Sequence, residues 1–165
     1  MINIRPWRTE DAFQLSLIAN NKNISFFLTD SFPSPYTEED AKKWISYCIS
    51  LTPISQMTIV YDNILVGSIG INIQHDIYRK TGEIGFWLSE DFWNKGIMTT
   101  ALKQFTKYCF DELHLNRLYA RVFENNFGSQ KVLKKGGYKK IGILQKEILK
   151  AGKTYDAILY DIIKN

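Results

Sequence analysis

Glu83-Ile84-Gly85-Phe86-Trp87-Leu88, followed by Ser89-Glu90-Asp91-Phe92-Trp93-Asn94-Lys95-Gly96-Ile97-Met98-Thr99-Thr100, is the stretch on which the fold turns. Its first part alternates, with Glu83, Gly85 and Trp87 on one face of a strand over Gly82–Leu88 and Ile84, Phe86 and Leu88 on the other. Its last part opens a helix predicted from about Ile97 to Glu112. There Met98, Ala101, Leu102, Phe105, Tyr108 and Cys109 repeat every three to four residues. A helix begins with backbone N–H groups that lack partners, and its dipole adds partial positive charge. Gly96 lets a ligand approach the backbone and Lys95 adds a cation, so the junction is suited to a phosphate or pyrophosphate. An ordinary helix start would read the same way.

Working outward, Ile2 and Ile4 alternate in a strand that ends near Pro6. A helix is expected from Thr9-Glu10-Asp11 with Phe13, Leu17 and Ile18 facing inward. Asn20–Tyr36 is turn-rich yet carries Phe26, Phe27, Phe32 and Tyr36, which suit either a pocket wall or packing beneath the loop. Thr37-Glu38-Glu39-Asp40 is a capping box, with Asp in place of Glu, for a helix through Trp44 and Cys48. Met57–Tyr61 and Ile64–Ile73 flank a turn at Asp62-Asn63 and read as a hairpin. Arg117–Phe123 is a strand, and Phe127–Lys135 a helix closed by Gly136-Gly137. Strands over Lys139–Leu149 and Thr154–Ile163 meet at Ala151-Gly152. The order βααβββαβαββ implies an α+β domain with a mixed sheet. No repeat or linker breaks the chain, so residues 1–165 are expected to form one domain.

Composition narrows the class. With 45% apolar and 23% charged residues, the chain is globular and not disordered. No apolar run reaches the roughly 18 residues a membrane span needs, and the start lacks a signal peptide's apolar core, so a cytoplasmic protein is expected. Two cysteines, Cys48 and Cys109, and two histidines, His75 and His114, give little material for a metal centre or a histidine-based triad. Both thiols sit on apolar stripes and are expected in the core. Lys131–Lys153 holds eight lysines and one acid, Glu147, while the rest of the chain is slightly acidic. Two phosphate motifs are excluded. Gly152-Lys153-Thr154 has Glu147 where a P-loop needs glycine, and Gly67-Ser68-Ile69-Gly70 lies inside a strand.

Taken with Asn126-Phe127-Gly128-Ser129 and Val132-Leu133-Lys134-Lys135-Gly136-Gly137-Tyr138, these segments resemble the GNAT superfamily of N-acetyltransferases, and more closely its RimJ/RimL branch. The likeness runs from Ile4-Arg5-Pro6 to Gly152-Lys153-Thr154-Tyr155-Asp156. It implies the three-layer GNAT fold with splayed central strands, and transfer of the acetyl group of acetyl-CoA to a primary amine without a metal. By the same resemblance, the pantetheine arm enters where Glu83–Leu88 splays from Arg117–Phe123, along Trp87 and Leu88. Pyrophosphate rests on the amides of Asn94, Lys95, Gly96, Ile97, Met98 and Thr99. Asn126 bonds the pantetheine or phosphate region, and Ser129 lies near the sulfur. The pattern has Gly or Ala where Met98 stands; its side chain can join the helix stripe while its N–H faces the ligand. A tyrosine common after the Asn motif is replaced by Leu133, which leaves Ser129 or water to serve the leaving thiolate. The thioester oxyanion would use a backbone N–H near Leu88.

An amine attacks only when unprotonated. At pH 7 a lysine-like amine must lose a proton at about 4–5 kcal/mol, an α-amine near pKa 8 at about 1 kcal/mol. Glu147 is the first candidate base, because Lys146-Glu147 resembles the branch's Arg-Glu pair; Glu83 competes with it, and either could instead be a structural ion-pair partner. Nearby lysines are expected to keep Glu147 ionised. The expected acceptor is a protein N-terminal α-amine, with a polyamine, an antibiotic or an amino acid as alternatives. Nucleic acid is expected only indirectly, through a ribosomal substrate. A homodimer through the closing strands is compatible with the resemblance. The rivals are a catalytically silent acyl-CoA sensor and, third, a nucleic-acid module using the lysine-rich stretch. Only Tyr138 there could stack on a base.

Overall fold

The computed structural model describes residues 1–165. Its elements are β1 (Ile2–Pro6), α1 (Ala12–Ala19), α2 (Lys22–Ser25), α3 (Glu38–Ser50), β2 (Gln56–Tyr61), β3 (Ile64–Ile73), β4 (Thr81–Leu88), α4 (Ile97–Asp111), β5 (Arg117–Phe123), α5 (Phe127–Lys135), β6 (Lys139–Lys150) and β7 (Lys153–Ile163). The strands run in the order β1-β2-β3-β4-β5-β7-β6 in a mixed sheet, with β4 and β5 parallel. This is the GNAT-type α+β order expected, with the one-turn helix α2 added inside the turn-rich Asn20–Tyr36 segment. The chain forms two compact units, Met1–Gly70 with Phe86–Ala101, and Ile71–Gly85 with Leu102–Asn165.

In the first unit, Trp7, Leu15, Tyr36, Ile45, Cys48 and Leu65 form a core with the small residues Ala12, Ala19 and Ala41. The expected inner face of α1 is corrected here. Phe13 and Leu17 are exposed, whereas Ala12, Leu15, Ser16 and Ala19 are buried and Ile18 is half-buried. α1 packs on α3 through a face made of Leu15 and the small residues Ala12, Ser16 and Ala19, which leaves Phe13 and Leu17 on the outer face. The Thr37 capping box forms in full: the Asp40 N–H donates to Thr37 Oγ1 at 3.2 Å, and the Thr37 N–H donates to Asp40 Oδ2 at 2.9 Å. Thr37→Ala is expected to cost about 1 kcal/mol, which a thermal melt would read as a drop of about 2–4 °C. Asp62 and Asn63, at φ 47° and 66°, make the left-handed turn that a two-residue hairpin requires. Phe32 and Tyr36 pack with ring centroids 4.9 Å apart, which favours packing over a pocket wall for these two.

In the second unit, Leu102, Phe105, Cys109, Leu118, Leu133 and Tyr160 are almost fully buried. Helix α5 ends as its glycines predict. Gly137 takes φ 93°, its N–H donates to Lys134 O at 3.1 Å, and the Tyr138 N–H donates to Leu133 O at 3.0 Å, a Schellman closure. Strand β6 departs from regular pairing twice. The larger irregularity falls between Leu144, opposite Ala157, and Ile148, opposite Tyr155. Both thiols are buried, and burial pushes each up to about 12.

Candidate active site

The first unit carries the anion-binding candidates. After β4, the Ser89 N–H donates to Val66 O at 2.7 Å, and Trp93 Nε1 donates to Leu88 O at 2.7 Å. Glu90 is held by the side-chain amides of Asn21 at 2.7 Å and Asn23 at 3.1 Å, which fastens the loop onto the start of α2. Asn94 and Gly96 take φ 60° and 76°, so the chain turns twice through the left-handed region around Lys95. A Cβ on Gly96 would meet nothing within 4 Å, leaving the approach to its backbone open. The Thr100 N–H donates to Gly96 O at 3.2 Å, the first turn of α4, so the amides of Ile97, Met98 and Thr99 precede the intrahelical ladder. Met98 is 6% exposed and Ile97 1%, so the bulky side chain at position 98 lies in the core stripe and not over the amides. Lys95 Nζ stands 5.2 Å from the Phe92 ring centroid, a cation–π contact at the rim of the loop. Trp87 packs its ring edge-on to Phe32, centroids 6.0 Å apart, against the core of this unit.

The second unit carries the candidate acid–base residues, and it brings both glutamates to one arginine. Arg121 Nε donates to Glu83 Oε1 at 2.7 Å and Nη2 to Glu83 Oε2 at 2.6 Å, a two-pronged pair. Its Nη1 donates to Glu147 Oε1 at 2.9 Å. The parallel register explains the first contact: Glu83 lies opposite Tyr119, one strand repeat before Arg121. The β6 irregularity explains the second. Gln145, Lys146 and Glu147 together face Asp156. Lys146 takes φ 55°, and its N–H donates to Asp156 Oδ1 at 2.8 Å. The Asp156 N–H donates in turn to Glu124 Oε1 at 3.0 Å. A bulge of this kind re-aims a side chain, here Glu147 onto Arg121. The cation on Glu147 is therefore an arginine of β5, not one of the flanking lysines. The hydrogen bond from Arg121 to Glu83 is the largest influence holding the guanidinium in its charged form; burial opposes it and Glu147 adds to it. Glu83 Oε1 and Oε2 are both occupied, whereas Glu147 Oε2 has no protein partner.

At the start of α5, Asn126 Oδ1 accepts the Ser129 N–H at 3.2 Å, capping the helix and leaving Asn126 Nδ2 and the Ser129 hydroxyl without protein partners. Leu133 is fully buried. The nearest tyrosine in sequence, Tyr138, is also buried, its hydroxyl 2.9 Å from Thr106 Oγ1 and its acidity suppressed mainly by that burial. It supplies no acid. Arg121 is the residue that sequence reasoning missed. The available signal was its place on the Arg117-Tyr119-Arg121 face of β5, beside a strand whose Glu83 needs a cross-strand partner. No helix is long and apolar enough to cross a membrane.

The profile of the family described as "Acetyltransferase (GNAT) domain" matches residues 2–139. The chain is 28% identical over 169 residues to the ribosomal N-acetyltransferase YdaF of Bacillus subtilis, covering 99% of this chain and 91% of that protein. It is 38% identical over 160 residues to the N-acetyltransferase YjcK of the same organism, covering 89% and 85%. Among solved structures, RimJ of Mycobacterium smegmatis with CoA-disulfide superposes with a TM-score of 0.87 at 24% identity, covering 98% of this chain and 81% of that one. The microcin C7 self-immunity acetyltransferase MccE, solved with acetyl-CoA and AMP, superposes with a TM-score of 0.85 at 25% identity, covering 99% and 92%.

Proposed function

The chain belongs to the GNAT acetyltransferase family, and we propose that it transfers the acetyl group of acetyl-CoA to a protein N-terminal α-amine, Glu147 taking the amine's proton. It is an acetyl-CoA-dependent N-acetyltransferase; the acceptor and the residue roles are the proposal. One observation carries it: of the two candidate carboxylates, Glu83 has both oxygens engaged by Arg121, whereas Glu147 keeps Oε2 free. At pH 7 the proton costs about 1 kcal/mol to remove from an α-amine and about 4–5 kcal/mol from a lysine side chain, so a single carboxylate suits the α-amine better. The name of YdaF points the same way.

Acetyl-CoA supplies the activated acyl carbon. In the first unit, the amides of Ile97, Met98 and Thr99 with the open Gly96 suit a pyrophosphate, and Lys95 adds charge. In the second, Asn126 Nδ2 is a free donor for an amide or phosphate oxygen, and the Ser129 hydroxyl can hydrogen-bond a leaving thiolate. A hydroxyl is a poor acid, so Ser129 stabilises the sulfur's charge more than it gives up its proton. Glu147 Oε2 takes the ammonium proton, directly or through one water.

Calorimetric titration tests the reading. Acetyl-CoA is expected to bind saturably at one site, with ATP far weaker and desulfo-CoA comparable. A peptide with a free α-amine should then release CoA faster than the same peptide with a blocked terminus and a free lysine. Absence of acetyl-CoA binding up to millimolar concentration, or preference for the lysine peptide, would overturn it.

A further inference from the structure

We infer that Arg121 sets the charge of the amine acceptor: one guanidinium shared by two carboxylates leaves the cluster a single net negative charge, matched to a monoamine and not to a polycation. This rests on the proposed role of Glu147 in taking the acceptor's proton. The geometry makes Arg121 more than a surface ion pair. Three N–H groups engage three carboxylate oxygens at 2.6–2.9 Å, from a side chain that is 41% exposed. The fork fixes the guanidinium plane on Glu83, and the remaining prong fixes Glu147. A lysine could supply the charge but not span both partners. Arg117, the other arginine on this face, is itself committed to Asp161 at 2.7 Å. It is not free to take over.

The consequence is a ladder of charge states, near-isosteric at Glu83→Gln and accompanied at Arg121→Gln by loss of the fork, for which Arg121→Lys is the control. Glu83→Gln takes the cluster from one net negative charge to none, and Arg121→Gln takes it to two. Every other neighbouring charge stays the same. The attraction of a polyamine's additional ammonium groups should grow along that series, whereas a peptide α-amine carries one charge and gains less. The spermidine-to-peptide ratio of kcat/KM is expected to rise about tenfold at each step, mainly through KM for spermidine. Arg121→Lys keeps the charge, so its ratio stays within about threefold of the starting protein while kcat falls for both acceptors, because the fork is lost.

The experiment follows CoA release from a lysine-free peptide and from spermidine for all four proteins, and measures spermidine binding by calorimetry without acetyl-CoA. A ratio that climbs in ladder order supports the inference. A flat ratio, with both acceptors falling together, overturns it and leaves Arg121 a purely structural residue. If the starting protein acetylates neither acceptor, the proposed acceptor reading fails. The calorimetric series then decides the role of Arg121 alone: affinity tightening from Glu83→Gln through to Arg121→Gln upholds it, and equal affinities overturn it. Should Arg121→Gln fail to fold, the step between Glu83→Gln and the starting protein gives the same reading.

Discussion

Glu147→Gln lowers turnover of an α-amine peptide at pH 7 by about 10²–10⁴-fold and leaves acetyl-CoA affinity unchanged. Glutamine keeps the length of the side chain and a carbonyl oxygen that can still accept from Arg121 Nη1, the contact made by Glu147 at 2.9 Å. What it removes is the free oxygen that could hold a proton. Only about tenfold of the deficit should return as the pH rises. An α-amine with a pKa near 8 is about one-tenth unprotonated at pH 7 and mostly unprotonated at pH 9, whereas the need to take the proton from the attacking nitrogen persists at both. Single-turnover rates at pH 7 and pH 9, with calorimetric acetyl-CoA binding alongside, check both parts. A variant within threefold of the starting protein at pH 7 would place the base elsewhere. A starting protein that binds acetyl-CoA but turns over no amine would be the silent sensor.

The largest effect on folding is expected at Gly67, in the interior of β3. A Cβ there would lie 2.4 Å from Trp87 O and 3.1 Å from Leu88 Cα, main-chain atoms of β4 that cannot rotate away. Gly67→Ala therefore forces β3 and β4 apart locally and should cost about 3 kcal/mol or more, a fall of about 10 °C in Tm. If Trp87 and Leu88 line the cofactor as the resemblance implies, acetyl-CoA affinity falls together with stability. Gly85→Ala is the control, since its Cβ would meet nothing within 4 Å; it should stay within about 1 kcal/mol of the starting protein. Equal melting points for the two variants would refute the steric argument.

Most of the element order could be read from local chemistry. The Thr37–Asp40 box, the left-handed Asp62-Asn63 turn, the apolar stripe of α4 and the Gly136-Gly137 closure each depend on residues within one or two turns of one another. The face of α1 was not legible, because Phe13 and Leu17 have the spacing of a core stripe and only packing on α3 selects the Ala12-Leu15-Ser16-Ala19 face instead. The turn at Asn94-Lys95-Gly96 before α4, with its open approach to Gly96, could be read from a glycine at a helix start. The link between the two glutamates could not. Arg121 is 38 residues from Glu83 and 26 from Glu147, and its reach to the latter depends on a bulge pinned by Asp156, ten residues beyond Lys146. Alternation predicts a regular β6, in which the direction of Glu147 would follow from strand parity alone. Three residues of β6 stand opposite Asp156 alone, and Lys146 among them takes φ 55°, so Glu147 lies outside that alternation.

The burial of Cys48 and Cys109 has a practical side. Acetyl transfer releases coenzyme A with a free thiol, and once air oxidises that thiol to the disulfide, an exposed, acidic cysteine on a protein can attack it, releasing one coenzyme A thiolate and keeping the other as a mixed disulfide. Here both sulfurs are enclosed, and burial suppresses the thiolate form that such an exchange needs. The folded chain should accumulate no coenzyme adduct when stored with product in air. A chromogenic thiol reagent added to a running reaction should report released coenzyme with almost no background from the protein.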